Sequence, residues 1–148
     1  MDDYEAKVKE QVERLNSWSY RDIEAAVIEK RISWIREHAM DSTVSGPVTP
    51  RQAFERLFFD YMGLFRDDLI VLEENEDKIT WLSKNPCPTL DACLKLGLDT
   101  RSVCRAISEK PTQAFISQLN PQLRFLRSYH EIRPYAGHCL ESILKSDS

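Results

Sequence analysis

Apolar positions recur every three to four residues through the first 65 positions of the chain. Over residues 3–16, Tyr4, Val8, Val12 and Leu15 share one face with charges between them, which predicts a helix. Ser19 stands where a second helix needs its cap, and Asp22 follows three residues on as a variant capping box. Ile23, Val27, Trp34, Ile35 and His38 then fall on or near one face and carry that helix to about Ala39. Met40 through Val48, containing Ser45-Gly46-Pro47, reads as a loop. Thr49-Pro50-Arg51-Gln52 is a strong helix start: Thr caps, Pro takes the first position and Gln lies three on. The wide stripe of Phe54, Leu57, Phe58, Tyr61 and Met62 that follows reads as core.

The period changes after Phe65. Leu69-Ile70-Val71-Leu72 and Ile79-Thr80-Trp81-Leu82 are short β-prone runs on either side of Glu73-Glu74-Asn75-Glu76-Asp77-Lys78, which predicts a hairpin with an acidic, solvated tip. The acidic run lacks the ligand pattern and glycine of a calcium loop. Thr89 is placed to cap a short helix stopping near Gly97, and Asp99 or Thr100 to cap another through Cys104. Lys110-Pro111-Thr112 restarts a helix bearing Ala114, Phe115 and Leu119, which Asn120-Pro121 ends. Leu123 to Tyr129 reads as a third strand, and Pro134 as the opening of a last helix bearing Cys139. The expected fold is α+β and mostly helical, with a small antiparallel sheet made of a hairpin near 69–83 and a strand near 123–129. It forms one domain over 1–148, with a helical N-terminal part, 1–48, and a cysteine-bearing part, 49–148.

Composition narrows the class. Hydrophobic content of 42% and charged content of 30% belong to a globular chain. No apolar stretch approaches the roughly 18 residues of a membrane span. The opening Met1-Asp2-Asp3-Tyr4-Glu5 is acidic and unlike a secretory signal, so a cytoplasmic setting with reduced thiols and no membrane is expected. The net charge of −4 hides a gradient. Residues 1–48 carry seven Lys/Arg against ten Asp/Glu, residues 49–99 six against ten, and residues 100–148 seven against four. Five of those last seven are arginines, suited to planar carboxylate or phosphate groups, although an ordinary solvated surface is the favoured reading of them. The basic face is too small for a nucleic-acid binder.

The candidate chemistry is thiol chemistry. All four cysteines, Cys87, Cys93, Cys104 and Cys139, lie beyond residue 86. Cys87 stands between Pro86 and Pro88, where a strand gives way to a helix N-terminus whose N–H groups favour a thiolate. It is a candidate nucleophile or metal ligand; the alternative is a small buried hydrophobe. Cys93 reads as core. Cys87, Cys104 and Cys139 form a candidate set for zinc or another thiophilic metal, although the close C-x2-4-C pair of structural zinc is missing. His138 and Cys139 are adjacent and would not easily share an ion; His130 and His38 read as ordinary histidines.

A hairpin, then Cys87-Pro88, a short helix to Gly97, Leu98 to Cys104, Pro121-x-Leu123-x-Phe125-x-Arg127 and a late Cys139 follow in that order. Over roughly residues 55–140 this resembles the L-2-amino-thiazoline-4-carboxylic acid hydrolase family, with Cys87, Cys104 and Cys139 in the places of its recurrent cysteines. The chain departs from the family in delaying an acidic residue to Glu109 and in its Ile132-Arg133-Pro134-Tyr135 segment. The resemblance implies a small cytosolic hydrolase, with Cys87 as nucleophile or ligand and Arg105 and Arg127 clamping the carboxylate of a compact anionic substrate. The other reading is a non-catalytic ligand-sensing or protein-interaction domain whose charged N-terminal helices meet a partner. Self-association is compatible with either.

Overall fold

The computed structural model describes residues 3–38 and 46–146, so the expected loop from Met40 lies outside the described residues as far as Ser45. Helix α1 spans Asp3–Ser17 and α2 Tyr20–Glu37. Ser19 caps α2 by accepting the Asp22 N–H at 3.1 Å. Helix α3 covers Pro50–Glu55 and starts with a complete capping box: Thr49 Oγ1 accepts from Gln52 N at 3.1 Å, and Gln52 Oε1 accepts from Thr49 N at 2.9 Å. It continues as a π-helical turn over Arg56–Tyr61, which spreads Leu57, Phe58, Phe59 and Tyr61 more widely than one α-helical stripe would.

Strands β1, Leu69–Asn75, and β2, Lys78–Ser83, form the expected hairpin. Glu73 and Glu74 belong to β1 itself, so the tip shrinks to Glu76 and Asp77. A bulge between Val71 and Glu73 shifts the register of this edge strand. Helices α4, Pro88–Leu96, α5, Thr100–Ile107, and α6, Glu109–Leu119, follow. Gly97 ends α4 in the left-handed region at φ 69°, and Asp99 caps α5. Strand β3 covers Leu123–Arg127.

Two expectations are corrected. The last segment is no helix: Cys139–Lys145 is a strand, β4, and it inserts between β2 and β3 to give an antiparallel sheet in the order β1-β2-β4-β3. Leu140, Ile143 and Leu144 suit a helical stripe, but β2 and β3 each present an open edge, and only a strand satisfies both. The cap of α4 is also displaced. Cys87 holds that position with Pro88 first in the helix, and the Thr89 hydroxyl instead accepts from Gln11 of α1 at 3.1 Å. The fold is α+β: helices on one face of a four-stranded antiparallel sheet.

Two apolar clusters hold the layers together. The larger joins Phe54, Leu57 and Phe58 of α3 and its π turn, Phe115 and Ile116 of α6, and Trp81, Phe125 and Ile143 of the sheet. Trp81 is its centre, 4.8 Å from the Phe54 ring and 5.3 Å from that of Phe58. The smaller joins Leu15, Ile23, Ala92, Cys93, Val103 and Ile107, where α1 and α2 meet α4 and α5. The N-terminal helices are thereby packed onto the cysteine-bearing part. Trp81→Ala should cost about 3–5 kcal/mol of unfolding free energy, read as a lower denaturant midpoint. A loss below about 1 kcal/mol would contradict the central place of this ring.

Candidate functional site

The inward faces of β2, β4 and β3 carry polar groups at one level of the sheet. Trp81, Glu141 and Arg127 lie in register across three strands. Arg127 donates to Glu141 Oε2 from Nε at 2.9 Å and from Nη2 at 2.8 Å, and both side chains are nearly excluded from solvent. Ser83 donates to Glu141 Oε1 at 2.6 Å while accepting the Trp81 indole N–H at 2.9 Å. Both carboxylate oxygens are therefore satisfied, as a buried charge requires. Burial alone would push the Arg127 guanidinium down; the Glu141 charge outweighs it and holds the pKa above the usual arginine range.

The network extends into the helices. Both Arg127 Nη atoms stand 3.4 Å from Ser108 Oγ, at the junction of α5 and α6. Thr112 Oγ1 donates to Ser108 O at 2.8 Å and accepts from Arg31 Nη1 of α2 at 3.0 Å. Arg31 is a second buried guanidinium, whose Nε has no hydrogen-bond partner. Burial, aided by repulsion from Arg127, pulls its pKa down.

The four thiols are free. Cys87 is half-buried at the N-cap of α4, and its Sγ accepts the Leu90 N–H at 3.5 Å. The helix N-terminus and the Arg133 charge pull its pKa down, but burial is the larger effect and pushes the thiol up. Burial likewise pushes Cys93 up to about 11 and Cys104 up to about 12. Cys139 opens β4, where its Sγ accepts from Arg133 N at 3.5 Å and from Arg133 Nε at 3.4 Å. Arg133 Nη1 also donates to the Asn85 carbonyl, tying the segment before Cys87 to the segment before β4. Among the described residues, no group of three or more His, Cys, Asp or Glu side chains is placed to hold a metal ion, so Cys87, Cys104 and Cys139 do not form one ligand set.

Arg105 and Arg127 are separated by burial. Arg127 is locked beneath the surface by Glu141, whereas Arg105 is exposed on α5 with its guanidinium 4.2 Å from the Tyr129 ring centre. Arg105 borders an open hollow of about 490 Å³ with Asp99, Arg101, Ser102, Ala106 and Tyr129; Cys87 is not among its walls. Arg101 pairs with Asp99 at 3.0 Å and stacks on Tyr135 at 4.1 Å. Its hydrogen bonds hold the Asp99 carboxyl at about 2. The Tyr129 hydroxyl is buried behind the hollow without a hydrogen-bond partner. A second hollow, of about 620 Å³, lies between α1 and α4 around Tyr4, Val8, Asp91 and Leu94. The sequence assigns neither Tyr129 nor Glu141 a role: Tyr129 reads only as the end of a strand that stops at Arg127, and Glu141 lies in a segment that reads as a helix.

No family model matches the chain, and no curated protein or solved structure matches it significantly. Among the described residues, no helix is long and apolar enough to cross a membrane.

Arg127→Met should destabilise the fold by about 3–5 kcal/mol, because Glu141 is left charged and buried. Adding Glu141→Leu should recover much of that loss, measured as a double-mutant cycle in denaturant; a harmless single change would contradict the pairing. The thiols generate a pH prediction. The folded values of Cys93 and Cys104, about 11 and about 12, exceed the ordinary 9.0. Their contribution to stability is therefore complete below pH 9 and lost as pH rises through 11 to 12. Near pH 8, alkylation of Cys87, Cys93 and Cys104 should be at least about tenfold slower in the native protein than in denaturant. Equal rates would show that the thiols are not protected.

Proposed function

We propose that the chain binds a compact carboxylate-bearing small molecule in the hollow over Tyr129, with Arg105 as the anion-binding group. One observation carries this reading. Arg105 has no carboxylate partner among the described residues, yet its guanidinium is held against the Tyr129 ring at the rim of the hollow. A guanidinium stacked on a ring keeps its fork of donors directed outward, and less side-chain freedom is lost when an anion docks. Arg101 lies one turn away on α5 and is paired with Asp99, both on the wall of the same hollow. Ser102 adds a hydroxyl to the wall. A volume of about 490 Å³ suits a small metabolite rather than a polymer.

The ligand is a small anion in a cytoplasmic setting, and the role is recognition. The hydrolytic alternative rests on the family resemblance, with Cys87 as nucleophile. It is favoured by the positive charge of Arg133 beside the cysteines and opposed by the burial that keeps the Cys87 thiol protonated. Calorimetric titration with a panel of small mono- and dicarboxylates tests both. A charge-assisted contact contributes about 1.5–3 kcal/mol, so Arg105→Met should weaken the best ligand by roughly ten- to a hundredfold with an unchanged circular dichroism spectrum. Cys87→Ala should leave binding intact. Affinity indifferent to Arg105 would refute the site, and turnover abolished by Cys87→Ala would establish the hydrolase instead.

A further inference from the structure

The two edges of the sheet are finished differently. At β3, the Gln113 side chain of α6 takes the place of a neighbouring strand: Nε2 donates to Leu123 O at 2.9 Å, and Oε1 accepts from Phe125 N at 2.8 Å. At β1, the opposite edge, the outward N–H and C=O groups have no backbone partner among the described residues. The side chains of β1 are apolar on both faces. Ile70 lies across from Leu82 and Val71 across from Trp81, on opposite sides of the sheet, yet they are 41% and 37% exposed. Leu72 between Val71 and Glu73 is 57% exposed. An edge with unpaired backbone groups and uncovered apolar side chains is a template for a further strand.

Charge selects the added strand. Residues 66–78 hold six Asp/Glu against two Lys/Arg. Glu73, Glu74 and Asp77 are paired with Lys78, Arg51 and Lys145. Asp67 and Asp68 at the entry to β1, and Glu76 just past its end, have no ion pair among the described residues. The edge is therefore apolar along its middle and acidic at both ends. We propose that β1 is a docking edge for an extended segment of another protein, apolar at its centre and carrying Lys or Arg at its ends. The bulge between Val71 and Glu73 divides the edge, so the guest segment is short. A second copy of this chain is the poorer guest. Antiparallel pairing of β1 with itself sets the Asp67–Asp68 end of one copy against the Glu73–Glu74 end of the other.

Fluorescence anisotropy tests this with a labelled synthetic peptide of alternating valine and threonine that carries lysines at both ends. The peptide should bind reversibly and more weakly as salt is added. Exchanging its lysines for glutamates, or methylating its alternate backbone nitrogens, should each weaken binding at least about tenfold. Ile70→Lys should have an effect of similar size with an unchanged circular dichroism spectrum. Hydrogen exchange locates the contact independently of any variant: bound peptide should slow the amides of Ile70–Asn75. No binding, equal binding of the glutamate-ended or methylated peptide, or unchanged exchange in β1 would overturn the proposal. So would a dimer of the chain that protects the same amides without peptide.

Discussion

The pairing of Arg127 with Glu141 is the constraint on which the rest of the molecule depends. It joins β3 to β4, and through Ser83 and Trp81 it ties that pair to β2. A slip of one residue in β4 would turn Glu141 to the open face and drive Leu140 inward, leaving a buried guanidinium without its counter-charge. Taking two charges out of water offsets much of their attraction, so the pair contributes more to the uniqueness of the register than to net stability. Because Arg127 also reaches Ser108, the same interaction sets where the α5–α6 junction rests on the sheet.

That placement orders the candidate site. With Arg127 neutralised below, Tyr129 follows β3 out of the sheet and turns its ring under Arg105. Two residues of the same type thereby acquire different surroundings: Arg127 is an internal strut paired with Glu141, and Arg105 lies exposed over the Tyr129 ring. The thiols follow a parallel logic. A helix N-terminus ordinarily favours a thiolate, but around Cys87 the loss of hydration is the larger effect and pushes the thiol up, while the sulfur caps α4.

Local signals in the chain were faithful where the local backbone decides. Ser19, Thr49 with Gln52, Asp99 and Gly97 each punctuate a helix as their side chains or lack of one dictate. The misses have different causes. At 139–145 a helical and an extended pattern were both available, and the choice lay with partners on β2 and β3, far away along the chain. At Thr89 the cause is local: Pro88 takes the first helical position, so Cys87 becomes the cap and Thr89 falls inside the first turn, where its hydroxyl accepts from Gln11.

The α+β class, most of the caps, the hairpin and the apolar faces were legible in the sequence, because these depend on neighbours within a few residues. The sequence also places all four cysteines and the arginine-rich charge excess in the later part of the chain. Assembly placed β4 inside the sheet, paired Arg127 while leaving Arg105 open, and buried the surroundings of Cys87, Cys93 and Cys104 so that their pKa values rise. Burial and pairing are properties of the assembled whole: the energy of a charge or a thiol is set by how much water it has lost and which group, remote in sequence, has taken the water's place.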